Sequence, residues 1–112
     1  MAYDEDLADR IRELVAEEAG LTEKKMFGGL AFLIGGNMAV AASGGGGLMV
    51  RVDPAISDSL VANAGGVRFV EMRGREMRGW LRVEAEGVRR GSELARWVEL
   101  GTTFARSLPP KR

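Results

Sequence analysis

The sequence predicts an α+β domain: a two-layer α/β sandwich with an antiparallel sheet and terminal helices, in the order αβββαββα. Three observations carry this expectation. Helix-period apolar stripes occupy both ends of the chain. Short apolar runs separated by paired glycines fill the middle, and one Asp-Pro step opens a short helix between the strands.

Each element has a local cause. From Asp4 to Ala19, apolar residues recur at Leu7, Ile11, Leu14 and Val15, the stripe of an amphipathic helix; Asp4 is the expected N-cap and Gly20 the expected stop. Three strand-like segments follow: "KKMFGGLAFLI", "NMAVAAS" and "GLMVRVD". Gly35-Gly36 and the run Gly44–Gly47 separate them, and paired glycines between apolar runs favour tight hairpins because such turns need positive φ. Asp53-Pro54 then reads as N-cap and first-turn proline of a helix through "AISDSLVANA", ending at Gly65-Gly66. "VRFVEM" and "GWLRVEAEG" are expected strands around a turn-prone "RGREMRG". Ser92 is the expected cap of a last helix with the stripe Leu94, Trp97, Val98, Ala105 and Leu108, stopped by Pro109-Pro110.

At 112 residues the chain has the size of one domain, residues 1–112. No apolar run approaches the roughly 18 residues that a membrane span needs, so no membrane association is expected. The acidic start "MAYDEDLADR" is opposite in sign to a secretory leader, which makes the cytoplasm the expected compartment. Net charge is zero but uneven: residues 1–23 hold eight acids against two bases, a balance of −6 that leaves +6 for the remainder. Such a chain is dipolar unless its acidic helix packs beside its basic strands.

The missing residue types restrict chemistry most. With no cysteine and no histidine, thiolate nucleophiles, imidazole bases and the common zinc sites lack their essential groups. A carboxylate mechanism would have to draw on Glu71, Glu76, Glu84 or Glu86, which sit among arginines and read as a solvated face. The glycine pairs offer no phosphate loop, because neither "FGGLAF" nor "IGGNMA" leads into a Lys-Ser/Thr step or a helix. The expectation is therefore a non-enzyme with no catalytic residues, no metal and no cofactor.

"MFGGLAFLIGGNMAVAASGGGGLMVRVD", with "FVEMRGREMRGWLRV" and "ELARWVELGTTFARSLP", resembles the N-terminal domain of the TfoX/Sxy competence-regulator family over nearly the whole chain. Its most specific part is Met26-Phe27-Gly28-Gly29, followed by a hairpin and the Leu48–Val52 strand. The resemblance implies a two-layer α/β sandwich like that of secretion-chaperone-type domains. It also implies a regulatory module without enzymatic activity or cofactor. Members acting in competence carry a further C-terminal helical domain, whereas the likeness here stops at "SLPPKR", so a stand-alone version of the domain is expected.

The leading functional expectation is a protein-interaction module whose partner is another protein or a second copy in a homodimer, engaged through a sheet face or edge. Six methionines supply adaptable apolar surface where they are not core. The candidate partner-binding residues are Arg73, Arg75, Arg78 and Trp80. The alternative is a nucleic-acid-binding transcriptional regulator acting through residues 68–82, where Arg68, Arg73, Arg75, Arg78 and Arg82 outnumber Glu71 and Glu76 and Trp80 could stack a base. The interleaved glutamates weaken a phosphate track, and a domain pI near 6.3 is far from that of a basic binder, so the protein-partner reading is favoured.

Overall fold

The computed structural model describes residues 3–26 and 28–111. Its elements are helix α1 (Glu5–Val15), strands β1 (Leu21–Met26), β2 (Gly29–Ile34), β3 (Asn37–Ala42) and β4 (Leu48–Arg51), helix α2 (Pro54–Asn63), strands β5 (Val67–Met72) and β6 (Arg75–Val83), a 3-10 turn at Ala85–Val88, and helix α3 (Gly91–Ser107). The six strands form one antiparallel sheet in the order β1-β2-β3-β4-β6-β5. The predicted class stands. Among the described residues, no helix is long and apolar enough to cross a membrane.

Several boundaries differ from those expected, each for a visible reason. Helix α1 stops at Val15 rather than Ala19, because Ala16-Glu17-Glu18-Ala19 no longer extends the apolar stripe. Its N-cap is as expected, with the Asp4 carboxylate accepting from the backbone N–H groups of Asp6 and Leu7. The segment Lys24–Ile34, read as a single strand, is a hairpin of two. Its first arm, β1, is a polar edge strand with no buried residue, so it lacks the apolar alternation by which strands announce themselves. Gly28, at φ 74°, turns the chain, and a Cβ on Gly29 would collide with the carbonyl of Ala42. Phe27, within the quoted Met26–Gly29 element, and Met1 lie outside the described residues.

Farther along, "RGREMRG" is mostly strand. The turn is only Arg73-Gly74, between partners Met72 and Arg75, while "EAEG" leaves the sheet as part of the 3-10 turn. Asp53 caps α2 as expected, accepting from Ala55 N–H at 2.9 Å. Ser92 does not cap α3: the helix begins at Gly91 directly after the 3-10 turn, with Arg90 at the capping position and no side-chain cap bond. The four-glycine loop is held in place, since Ser43 N–H donates to Gly47 and the Arg82 guanidinium donates to Ser43 Oγ (2.8 Å) and Gly46 O (3.3 Å).

One face of the sheet carries the main core. Leu7, Ile11 and Val15 of α1 and Leu94, Trp97 and Val98 of α3 pack on Phe32, Val40, Leu48, Val50, Leu81 and Val83, all buried. Burial of each large apolar side chain is worth about 1.5–3 kcal/mol, so this face supplies most of the folding energy. Leu60 and Val61 of α2 join the same cluster, which puts all three helices on one side.

A two-pronged ion pair fastens α1 to β1: Arg12 Nε and Nη2 donate to the Glu23 carboxylate at 2.7 and 2.9 Å. The Arg12 hydrogen bond holds the Glu23 carboxyl below its usual pKa of 4.5, against a smaller opposing effect of burial. A depressed carboxylate pKa stabilises the fold fully above the unfolded value, and that contribution disappears as pH falls through the folded value. Glu23→Gln is therefore expected to melt below wild type at pH 7, with the gap closing on acidification below about pH 4, as thermal melts across this range would show. Because both groups are solvated, the gap at pH 7 is small.

Candidate partner-binding face

Side chains alternate across a strand, so the residues that do not face the helices form a second surface. Its centre is the buried cluster Ala31, Met38, Ala41 and Met49, on β2, β3 and β4. Met26, Leu33, Val70 and Trp80 pack around it, each only partly buried. None of the described helices covers this face.

The β5–β6 hairpin extends the surface. Pairing is regular from Val67↔Val83 to Phe69↔Leu81 and then jumps to Val70↔Met77, leaving Arg78, Gly79 and Trp80 without β5 partners. Gly79 sits at φ 85° in this irregular stretch, and Val52 N–H donates to its carbonyl. Beyond the irregularity, Val70, Met72 and Met77 meet Met49 and Trp80 around an apolar hollow of about 100 Å³. All five described methionines thus belong to this one face. Met38 and Met49 are buried, Met26 and Met77 are half-buried, and Met72 is 43% exposed.

Charge is sorted by the same alternation. Lys24 pairs with Ala31, Arg82 with Met49, Arg51 with Trp80, and Arg75 with Met72, which sets four cations on the methionine face; Arg68, opposite Arg82, is the fifth. The three strand carboxylates, Glu23, Glu71 and Glu76, alternate to the opposite side. The acidic α1 also lies on the helix side, so the dipole foreseen from composition runs across the two layers.

The four predicted site residues lie along this hairpin and its root. Arg73 is at the tip, Arg75 is opposite Met72, and Arg78 is in the irregular stretch, 3.6 Å from Asp58. Trp80 is half-buried, with the Arg51 guanidinium 4.9 Å from its ring centroid and also 5.5 Å from that of Phe104. Besides Arg78, two more arginines of the 68–82 segment are already engaged: Arg68 with Glu84 at 2.8 Å, and Arg82 with the glycine loop. Sequence reasoning missed the gathering of Met26, Met38 and Met49 with Met72 and Met77, and the contribution of Lys24 and Arg51. The spacings Met49-x-Arg51, Val70-x-Met72 and Trp80-x-Arg82 were the available signal, since each places its pair on one strand face.

Arg73 is the one described non-glycine residue with positive φ, at 54°, and with Gly74 at 78° it forms the two-residue turn of a type I′ hairpin. Asn, Asp and Gly are favoured at this position because a Cβ crowds the backbone there by about 1 kcal/mol or more. Arg73→Asn is therefore expected to raise stability by about 0.5–1 kcal/mol, measurable by urea denaturation. The arginine stands where folding alone would select another residue.

A larger, open hollow of about 550 Å³ lies between α2 and α3, lined by Asp53, Ile56, Arg96, Glu99, Leu100 and Phe104 among others. Among the described residues, no group of three carboxylates comes together as a metal cage would require. Among the described residues, the two ionisable groups with a shifted pKa, Arg12 and Glu23, lie at the α1–β1 contact and in neither hollow.

No curated protein matches the chain significantly. The family model described as TfoX N-terminal domain matches residues 13–105, a span from the second half of α1 almost to the end of α3 that includes the whole sheet and both of its faces, and the chain belongs to that family.

Proposed function

We propose that this TfoX N-terminal domain is a non-enzymatic regulatory module of the cytoplasm that binds a protein partner through the helix-free face of its sheet. The carrying observation is the convergence of all five described methionines on that face, within a rim of cations. Methionine adapts its shape to a partner at low cost, and an apolar surface left uncovered by helices is where such adaptability has use. The edges are less suited to strand addition: β1 carries Lys24 and Lys25 and β5 carries Arg68, charges of the kind that discourage edge pairing. A symmetric homodimer through the methionine face would bring Lys24, Arg51 and Arg75 of one copy to a face carrying the same cations, which favours a partner other than self.

The nucleic-acid alternative has weaker support. Arg68 and Arg82 are occupied internally, and Trp80 already has a guanidinium against its ring. Photoreactive side chains placed at Leu33 and Met72, with Glu13 and Glu99 as controls on the helix side, test the proposal in the native cell. A discrete protein adduct from the first pair alone is expected; adducts from the helix side alone, or from neither, would refute it.

A further inference from the structure

Resting on that interaction reading, we propose that the partner presents an amphipathic segment whose apolar anchor enters the hollow framed by Met49, Val70, Met72, Met77 and Trp80, and whose flanking carboxylates meet Lys24, Arg51 and Arg75. The hollow, about 100 Å³, is on the scale of apolar cavities that accept one small hydrocarbon group, about 150 Å³ for a benzene-sized guest. It accepts one aliphatic side chain, the kind of central anchor that dominates interface energies. Its walls are partly exposed, so an anchor reaches it without unfolding the sheet, and the methionines adjust around it.

Charge then fixes the flanks. The face carries exposed cations at Lys24 and Arg75 and, at its edge, the half-buried Arg51, whose guanidinium is stacked on Trp80 and on Phe104 of α3, while Glu23, Glu71 and Glu76 alternate away from it. No salt bridge engages any of those three cations among the described residues. Carboxylates on the incoming segment find unneutralised partners, and basic ones meet like charge. A phosphate backbone would use the cations but leave the apolar centre unfilled. A lipid surface needs protruding apolar groups, whereas here only Met72 is well exposed and Met38 and Met49 are buried. A second copy brings the same cationic rim.

The test uses the full chain with methyl-labelled methionine and two synthetic helical peptides. Both carry leucines at i, i+3, i+4 and i+7; one is flanked by glutamates and the other by lysines. The acidic peptide is expected to shift the Met49, Met72 and Met77 methyl resonances saturably and to bind at least tenfold more tightly than the basic one. Added salt should shrink that ratio, since exposed charges are screened over about 10 Å at 0.1 M. The Lys24→Glu/Arg75→Glu double variant, with a native spectrum, should invert the preference. Equal binding of the two peptides, shifts confined to the helix side, tighter binding to anionic vesicles or to a DNA duplex, or face-to-face dimerisation without peptide would each overturn the proposal. If the acidic peptide fails while the Leu33 and Met72 cross-links still carry a protein, the acidic segment is wrong and the interaction reading stands. If both fail, both fall.

Discussion

Gly101→Leu is expected to lower the melting temperature by about 12 °C or more, from a cost of about 3 kcal/mol. The residue lies mid-α3, where the helix backbone rests directly on the sheet: a Cβ there would stand 2.5 Å from the Ala39 carbonyl oxygen, 2.9 Å from Val40 Cγ1 and 3.0 Å from Val50 Cγ2. A backbone oxygen and two β-branched side chains cannot all yield, so a larger residue forces α3 away from Val40 and Val50, which are fully buried. Gly101→Ala should fall between wild type and leucine, because alanine's helix propensity, about 1 kcal/mol better than glycine's, offsets part of the clash. Calorimetric melts of the three proteins decide the matter. A leucine variant melting within about 2 °C of wild type would mean that α3 is not seated as described.

The second large effect concerns binding. Leu33→Glu/Met72→Glu should weaken partner binding by about 30-fold or more, the loss expected when about 2 kcal/mol of an interface anchor is removed and like charge is presented to an acidic segment. Folding should change far less. Both side chains are outside the main core: a change at exposed Met72 should stay within about 0.5 kcal/mol, and half-buried Leu33, packed on the Ala31–Met49 cluster, carries the larger share of any stability loss. Affinity measured on the isolated complex, beside the urea midpoint of each protein, separates the two effects. A variant that keeps its affinity would remove these residues from the interface, whatever its stability.

The fold was legible where the sequence repeats a simple period. The stripe Leu7, Ile11, Leu14, Val15 and the stripe Leu94, Trp97, Val98, Ala105, Leu108 each placed a helix, although Leu14 is exposed and Leu108 lies just past the end of α3, and Asp53-Pro54 marked the start of α2. Strand β1 escaped notice because Thr22-Glu23-Lys24-Lys25 is solvated on both sides and pairs along one edge only, so its existence depends on β2 rather than on its own side chains. The boundary at Gly91 depended on a 3-10 turn that no local pattern announces. For the site, the arginine hairpin could be found from its composition. Its union with Met26, Met38 and Met49 could not, because it arises from register across five strands and from the displaced pairing between Phe69 and Val70.

Oxidative footprinting of the methionines in the free protein and in the complex isolated through the cross-linked partner tests the central claim most directly, because thioether oxidation follows exposure. Met72, Met77 and Met26 should oxidise readily in the free protein and be protected several-fold in the complex, with Met38 and Met49 slow in both. Unchanged oxidation of Met72 and Met77 in a complex of full occupancy would contradict the account and move the binding surface to the helix layer.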